Sequence, residues 1–557
     1  MLTRLKKLIA TAFVGVAGLG TFAFVVGTPH AVHAAEIVNV EYIVGFVKNK
    51  WGVDVPYEEE EKLWAANVEY LLKVVDYVNG KLNNGEKTSY GTGPYATKEA
   101  VDTIAANQAI RTLIKKKFVP NYDAVFTFVP ETESKSYYLY IGAAGDYTIY
   151  WGDGKIENIT QSDTKLTTYT HTYSDSASNH TIGLGGKANA YSSSNTVAAI
   201  SFSYNNIKPM DGCLGCIFST LADGSQPRFY GTFSGNTELT GSIPEKLFNG
   251  ISGAPAEYMF YNTFYGCSGL TEIPEKLFSG ISGAPAEYMF YNTFYNCSGL
   301  ESIPANLFSG ISGTPANNMF YQTFYGCSGL TGSVPENLFS GIKGAPADYM
   351  FSNTFYNCSR LESIPANLFG GISGTPANNM FYQTFYGCSG LKKIPENLFG
   401  ELSGAPALSM FYQTFYGCSG LTGQIPEKLF GELSGAPAGY MFYGTFEDCS
   451  SLTEIPENLF AGISGPEADY MFARTFKNCS ALTSIPEHLF DDLDTDGSYK
   501  SEAFYHTFYN CTSLSGPSAR INGQYLYKIW PYISFRQQTY YNDTKLSDYD
   551  SIPSYWR

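Results

Sequence analysis

Charge is scarce in this chain: only 15% of its 557 residues are Asp, Glu, Lys or Arg. Cations are the scarcer sign, 35 Lys and Arg against 51 Asp and Glu, for a formal charge of −16. That balance argues against nucleic acid and anionic membrane surfaces as partners. No Cys precedes Cys213, so a lipid-modified cysteine cannot stand at the start of a processed chain. After residue 35 there is no apolar run long enough to span a bilayer. Catalytic signatures are missing as well. No HExxH, GxSxG or paired-carboxylate motif occurs, and Tyr90-Gly91-Thr92-Gly93 lacks the Gly-Lys of a phosphate loop. These absences lead us to expect no catalytic residues, no metal site and no cofactor.

Aromatics, by contrast, make up 16% of the chain, which suits a stacked, wall-like protein better than a disordered one. The first 35 residues read as a secretory leader. Arg4, Lys6 and Lys7 precede an apolar stretch from Leu8 to Val26, and Val32-His33-Ala34 gives a small-residue cleavage pattern. The stretch is also long enough for an uncleaved anchor, but its glycines, Pro29 and the cleavage pattern favour removal. Removal would take the charge to −19.

The strongest signal is a period. The Phe of TFYGCSGL and its variants falls at Phe233, Phe264, Phe294, Phe324, Phe355, Phe385, Phe415, Phe446, Phe476 and Phe508, at spacings of 30 to 32. Self-similarity of this kind marks units that bury their apolar faces only against their neighbours. Three units carry an extra glycine, Gly241, Gly332 and Gly423, 91 residues apart. Such a residue should form a small bulge. Within residues 255–285, Met259, Phe260, Thr263, Phe264 and Cys267 share one face of a helix that opens at Pro255. Leu270-Thr271-Glu272-Ile273 reads as a short strand cut off by Pro274, and Leu277, Phe278 and Ile281 as the face of a second short helix.

The run Cys267-Ser268-Gly269-Leu270-Thr271-Glu272-Ile273-Pro274-Glu275-Lys276-Leu277-Phe278 resembles the BspA-type leucine-rich repeats of bacterial surface proteins. The resemblance covers roughly residues 210–557. It implies a surface-exposed or secreted binding protein, often an adhesin, without catalysis. Earlier in the chain, Trp151-Gly152-Asp153-Gly154, His171-Thr172-Tyr173 and Thr181-Ile182-Gly183-Leu184 resemble a PKD-type β-sandwich. In that resemblance His171 is structural. The stripe Trp64, Val68, Leu71, Val75 and Val78 steps as a helix does, and a second helix runs from Thr97 to Lys117.

The expected architecture is therefore an α/β solenoid with short strands and short helices, preceded by a PKD/Ig-like β-sandwich and a small α-helical N-terminal domain. The expected boundaries are 1–35 leader, 36–120 helical domain, 121–208 β-sandwich, 209–514 repeats with their N-cap, and 515–557 C-terminal cap.

Of 11 cysteines, nine follow the period: Cys267, Cys297, Cys327, Cys358, Cys388, Cys418, Cys449, Cys479 and Cys511. One per unit on the apolar face reads as a ladder of buried thiols rather than as disulfides. Cys213 and Cys216 form a CxxC outside the period and leave a cap disulfide, a redox pair and plain packing all open. At the C-side, Asp543 replaces the ladder cysteine and should end the ladder with a group that prefers water. His506 replaces an Asn or Gln and should lie at the surface.

Two rows are candidate binding surfaces. The first is the strand face: Thr271, Glu272, Glu301, Ser302, Ser333, Glu362, Ser363, Lys392, Lys393, Gln424, Thr453 and Glu454. It is either a ligand surface or a polar exterior free to drift. The second is an aromatic stripe: Tyr261, Tyr291, Tyr321, Tyr412 and Tyr443. Its rings could stack on sugars or partner proteins, or simply on each other. The expected partner is a protein or glycan, with no nucleic acid and no stable membrane insertion after leader removal. A structural surface-layer component is the alternative, and a glycan-acting enzyme targeted by its repeats a further one. The sequence leaves the oligomeric state open.

Overall fold

The structure, a computed structural model, describes residues 123–557 apart from runs at 129–135, 154, 174–179, 203–206, 496–501 and 532–536. The expected leader and the expected N-terminal helical domain lie outside the described residues. The chain divides into two compact units. The described part of the first is Ile149–Glu157, a hairpin tip where the Trp151 amide donates to the Lys155 carbonyl and the indole Nε1 donates to Glu157. The second comprises Asp123–Thr148 and Asn158–Arg557.

Eight strands precede the repeats: β1 (Ala124–Phe128), β2 (Ser136–Ile141), β3 (Ala143–Tyr150), β4 (Ile156–Gln161), β5 (Thr167–Thr172), β6 (His180–Tyr191), β7 (Ile200–Ser201) and β8 (Ile207–Gly212). They form a five-stranded sheet in the order β4-β3-β6-β1-β8 and a three-stranded sheet in the order β5-β2-β7. In β2 the period of two is plain, with Tyr137, Leu139 and Ile141 buried between more exposed neighbours.

The α/β solenoid expected from the repeats is not what forms, and this is the main correction to the sequence reading. Among the described residues the only α-helices are two four-residue turns, α1 (Leu214–Ile217) and α2 (Leu526–Ile529). The remaining regular structure is almost all strand, in small sheets. The run read as a helical face is buried as expected, with Met259, Phe260, Thr263, Phe264 and Cys267 all at 0% exposure, but its backbone is a chain of turns.

The physical reason lies in which way the amides point. Those of Met259, Tyr261, Thr263, Tyr265 and Cys267 each bond the carbonyl three residues back. Those of Phe260, Asn262, Phe264 and Gly266 instead bond Met289, Tyr291, Thr293 and Tyr295 of the next unit, at 2.7–2.9 Å. A helix would spend every amide internally and leave none for a neighbour. Every fourth residue is left-handed: Tyr258, Asn262 and Gly266 have φ of 58°, 55° and 72°. The same three positions recur with positive φ through to Glu502, His506 and Asn510. Asn and Gly tolerate this conformation best. The second expected helix is likewise a set of turns, with Leu277, Ser279 and Ile281 bonding three residues back.

Short parallel pairs join neighbouring units: β9 (Gly241–Ser242) with β10 (Leu270–Glu272), and β11 (Gly332–Ser333) with β12 (Leu361–Ser363). Further along, β13 (Ser403–Gly404) pairs with β15 (Glu432–Leu433), and β14 (Gly423–Gln424) with β16 (Leu452–Glu454). The pairings at Gly241, Gly332 and Gly423 shift register, as an inserted residue requires.

Inside, identical residues stack on themselves. One aromatic column runs from Phe202 of the β-strand region through the ten period-marking phenylalanines to Tyr540 and Trp556, with ring centroids 5.4–6.4 Å apart. Polar rows satisfy the carbonyls beside it. Threonine hydroxyls from Thr263 to Thr539 donate to a Phe carbonyl of the preceding unit at 2.8–3.0 Å. The nine ladder thiols, all free and buried, do the same at 3.0–3.3 Å. Burial pushes their pKa values up, that of Cys267 to about 12.

The C-side is closed by the antiparallel pair β17 (Arg520–Ile521) and β18 (Gln524–Tyr525), by α2 and by the last residues, where the Tyr540 amide bonds the Trp556 carbonyl. Asp543 corrects the reading made of it. It stands in the ladder position but is fully buried, and neither carboxyl oxygen has a hydrogen-bond partner. Burial raises its pKa from the ordinary 3.8 to about 8.

Candidate functional site: the exposed rows and a charged break

The parallel pairing fixes where the strand-face residues stand. The amide of Glu301 bonds the carbonyl of Thr271, and Lys392 bonds Glu362, each one unit away. Neighbouring strands of a sheet lie about 4.8 Å apart, so these side chains form rows at that interval. Glu272, Glu301, Ser302, Ser333, Glu362, Ser363, Lys392, Lys393, Gln424 and Glu454 are exposed, and Thr271 and Thr453 partly so. The flanking Leu270, Ile273, Leu361 and Ile364 are buried. Chemistry along the rows changes from unit to unit, acidic or hydroxyl towards the N-side and basic at Lys392 and Lys393.

The tyrosine stripe is a pair of stacks. Tyr230, Tyr261, Tyr291 and Tyr321 stack at 4.5–4.8 Å with planes within 8°. Tyr382, Tyr412 and Tyr443 form a second stack at 4.6–4.7 Å. Ser352 occupies the position between them. Tyr230 and Tyr382 belong to these stacks and were missed in the sequence, although they hold the same unit position. A sugar stacks on an open ring face, and inside these stacks, the end rings apart, each face is covered by the next ring. What they present outward is edges and hydroxyls.

A second feature was not anticipated. Where other units carry Tyr, Gly and an amide, residues 443–477 place Glu447, Asp448, Arg474 and Lys477. Glu447 is 1% exposed. Its Oε1 accepts from Arg474 Nη2 at 2.5 Å and lies 3.1 Å from Lys477 Nζ. Gly444 makes room for it, since a Cβ there would lie 3.1 Å from Glu447 Oε2. Burial raises the Glu447 pKa, and Arg474 and Lys477 oppose the rise. Arg474 also covers Tyr443, with its guanidinium 5.8 Å from the ring, taking the place of a missing ring. Asn478 donates to Asp448 at 2.7 Å, Asn510 to Asn478, and Asn542 to Asn510. His506, expected at the surface, is half-buried. It stacks 3.8 Å from Tyr505, and burial lowers its pKa to about 4.

Among the described residues no group of three or more His, Cys, Asp or Glu is arranged to hold a metal ion, and no helix is long and apolar enough to cross a membrane. Comparison with family models, with curated proteins and with solved structures finds no match to the chain.

Proposed function

We propose that the protein is an exported, adhesin-like binding protein, without catalysis, that engages a protein or glycan through the strand-face rows. The observation that carries this reading is the contrast between rows. The buried columns repeat the same or a similar apolar residue in most units, whereas the exposed rows on the same units vary between acid, base, amide and hydroxyl. A rigid backbone ladder holds that variation in register over many units, as an extended recognition surface requires. The strand face is preferred to the tyrosine stripe because most of the stripe's ring faces are already covered by neighbouring rings. Export rests on the leader-like residues 1–35, and the adhesin class on the BspA-type phrase.

The test is a glycan and extracellular-protein array probed with the full chain, followed by Lys392→Glu/Lys393→Glu. For a captured ligand, the double reversal should weaken binding about tenfold or more if the pair lies at the contact. Unchanged binding by this variant and by Glu301→Lys/Glu362→Lys would make the rows a drifting exterior and remove the proposal.

A further inference from the structure

We propose that Cys213–Cys216 is a reversible thiol–disulfide exchange site, open to attack by an external thiol at Cys216. The two sulfurs are bonded across α1, where the β-strand region meets the first repeat unit. They differ in access: Cys216 is exposed, and Cys213 is 7% exposed. An incoming thiolate can therefore reach only the Cys216 side, with Cys213 as the leaving group.

The surroundings of Cys213 suit both redox states. Its Sγ lies 2.9 Å from the Asn249 carbonyl oxygen. In the disulfide Cys213 carries no proton, and this is a close S···O approach. In the dithiol the same atom carries a proton and can donate to that oxygen, as the nine ladder thiols donate to theirs at 3.0–3.3 Å. The backbone around the pair is held independently of the S–S bond. The amide of Cys213 bonds Asp123, that of Gly215 bonds Leu247, and Gly215 approaches the next turn so closely that a Cβ would lie 2.3 Å from Asn249 O. Reduction thus leaves the junction in place.

In the first step a thiolate RS⁻ bonds Cys216 Sγ and the Cys213–Cys216 bond breaks. Its electron pair goes to Cys213 Sγ, which takes a proton from solvent. A second thiol then attacks the R sulfur, releasing RSSR and the Cys216 thiolate, which is protonated in turn. Two thiols are oxidised and one protein disulfide is reduced. The ladder cysteines cannot compete, being fully buried with raised pKa values.

The experiment treats the folded full chain with graded reduced glutathione, quenches with N-ethylmaleimide and maps the adducts by mass spectrometry. Alkylation should appear at Cys213 and Cys216 alone, a transient glutathione adduct at Cys216 alone, and oxidised glutathione should restore the disulfide. In Cys213→Ser the remaining Cys216 should react with maleimide at least about tenfold faster than Cys213 does in Cys216→Ser. The proposal is overturned by a first adduct on Cys213, by ladder thiols reacting at the same rate, or by a disulfide that yields only after denaturation.

Discussion

Asp543 gives the sharpest quantitative test of the stacked architecture. Its carboxyl is fully buried without a hydrogen-bond partner, beneath Cys511 and beside Tyr540, and its pKa stands at about 8 against an ordinary 3.8. The folded state therefore holds a proton that the unfolded state gives up. The stability this contributes is complete below about pH 4 and is lost as pH rises towards 8. Each unit in that window removes about 1.4 kcal/mol, so the whole window amounts to on the order of 5 kcal/mol, an upper bound for the C-terminal cap. Asp543→Asn removes the titration, and Asp543→Cys restores the residue that the nine preceding rungs carry. Denaturant unfolding of the full chain, followed by Trp fluorescence between pH 4 and 9, should show the cap transition of the parent moving to lower denaturant as pH rises. In both variants that slope should be largely gone. A parent with no alkaline loss, or an Asn variant that keeps the same slope, would show that the carboxyl reaches water and that the cap is not closed as described.

Three other outcomes follow from the packing. Asn292 is left-handed at φ 54° and its Oδ1 has no partner, so Asn292→Gly should be nearly neutral and Asn292→Val should cost about 1–3 kcal/mol in denaturant melts. In a helix the order would be reversed, because Gly is the poorer former there. Phe355, fully buried between Phe324 and Phe385 with centroids 5.7 and 5.6 Å away, should lose about 3–5 kcal/mol of local stability on Phe355→Ala, and an unchanged melt would misplace the column. Deleting residues 295–355, which joins Phe294 to Tyr356 in register, should leave a soluble, shorter stack, whereas deleting the cap 515–557 should expose Phe508 and cause aggregation. Light scattering decides between these and the reverse result.

Much of this arrangement can be read from the chain alone, and the part that cannot has a definite cause. The burial of Met259, Phe260, Thr263, Phe264 and Cys267 follows from their spacing, and so does the strand at Leu270–Glu272. The conformation does not, because a period of four and a helical period nearly coincide over so short a run. A residue four places on is only about 40° out of line on a helix. The discriminating signal was polar. Asn262 and Gly266 sit four apart, and an amide and then Gly, Asn or Asp return there in most later units, a composition that disfavours helix and suits left-handed turns. Asp543 misled for a different reason. Its charge was read with the sign it has in water, whereas its rung position fixes its burial and burial removes the charge. Glu447 and Arg474 are inconspicuous when the chain is followed residue by residue. Set against the earlier units, where the same positions hold Tyr416 and Gln413, both stand out.

The stack itself limits where selection can act without cost. A residue in an inner column has its own kind as neighbour on both sides, so one change disturbs two contacts, as Phe355 touches Phe324 and Phe385. Such columns stay uniform. A residue on the strand face meets its neighbours mainly through backbone bonds that any side chain permits, as Lys392 bonds Glu362. The break at Glu447 lies between these limits. The buried carboxylate is paired with both Arg474 and Lys477, and a Cβ at Gly444 would crowd it at 3.1 Å. Four positions spread over two units thus act on one another, at a desolvation cost that a tyrosine stack would not incur. Largely uniform columns thus carry the fold, the proposed recognition falls to the varying rows, and the break at Glu447 marks the place where one stretch of the stack differs from the rest.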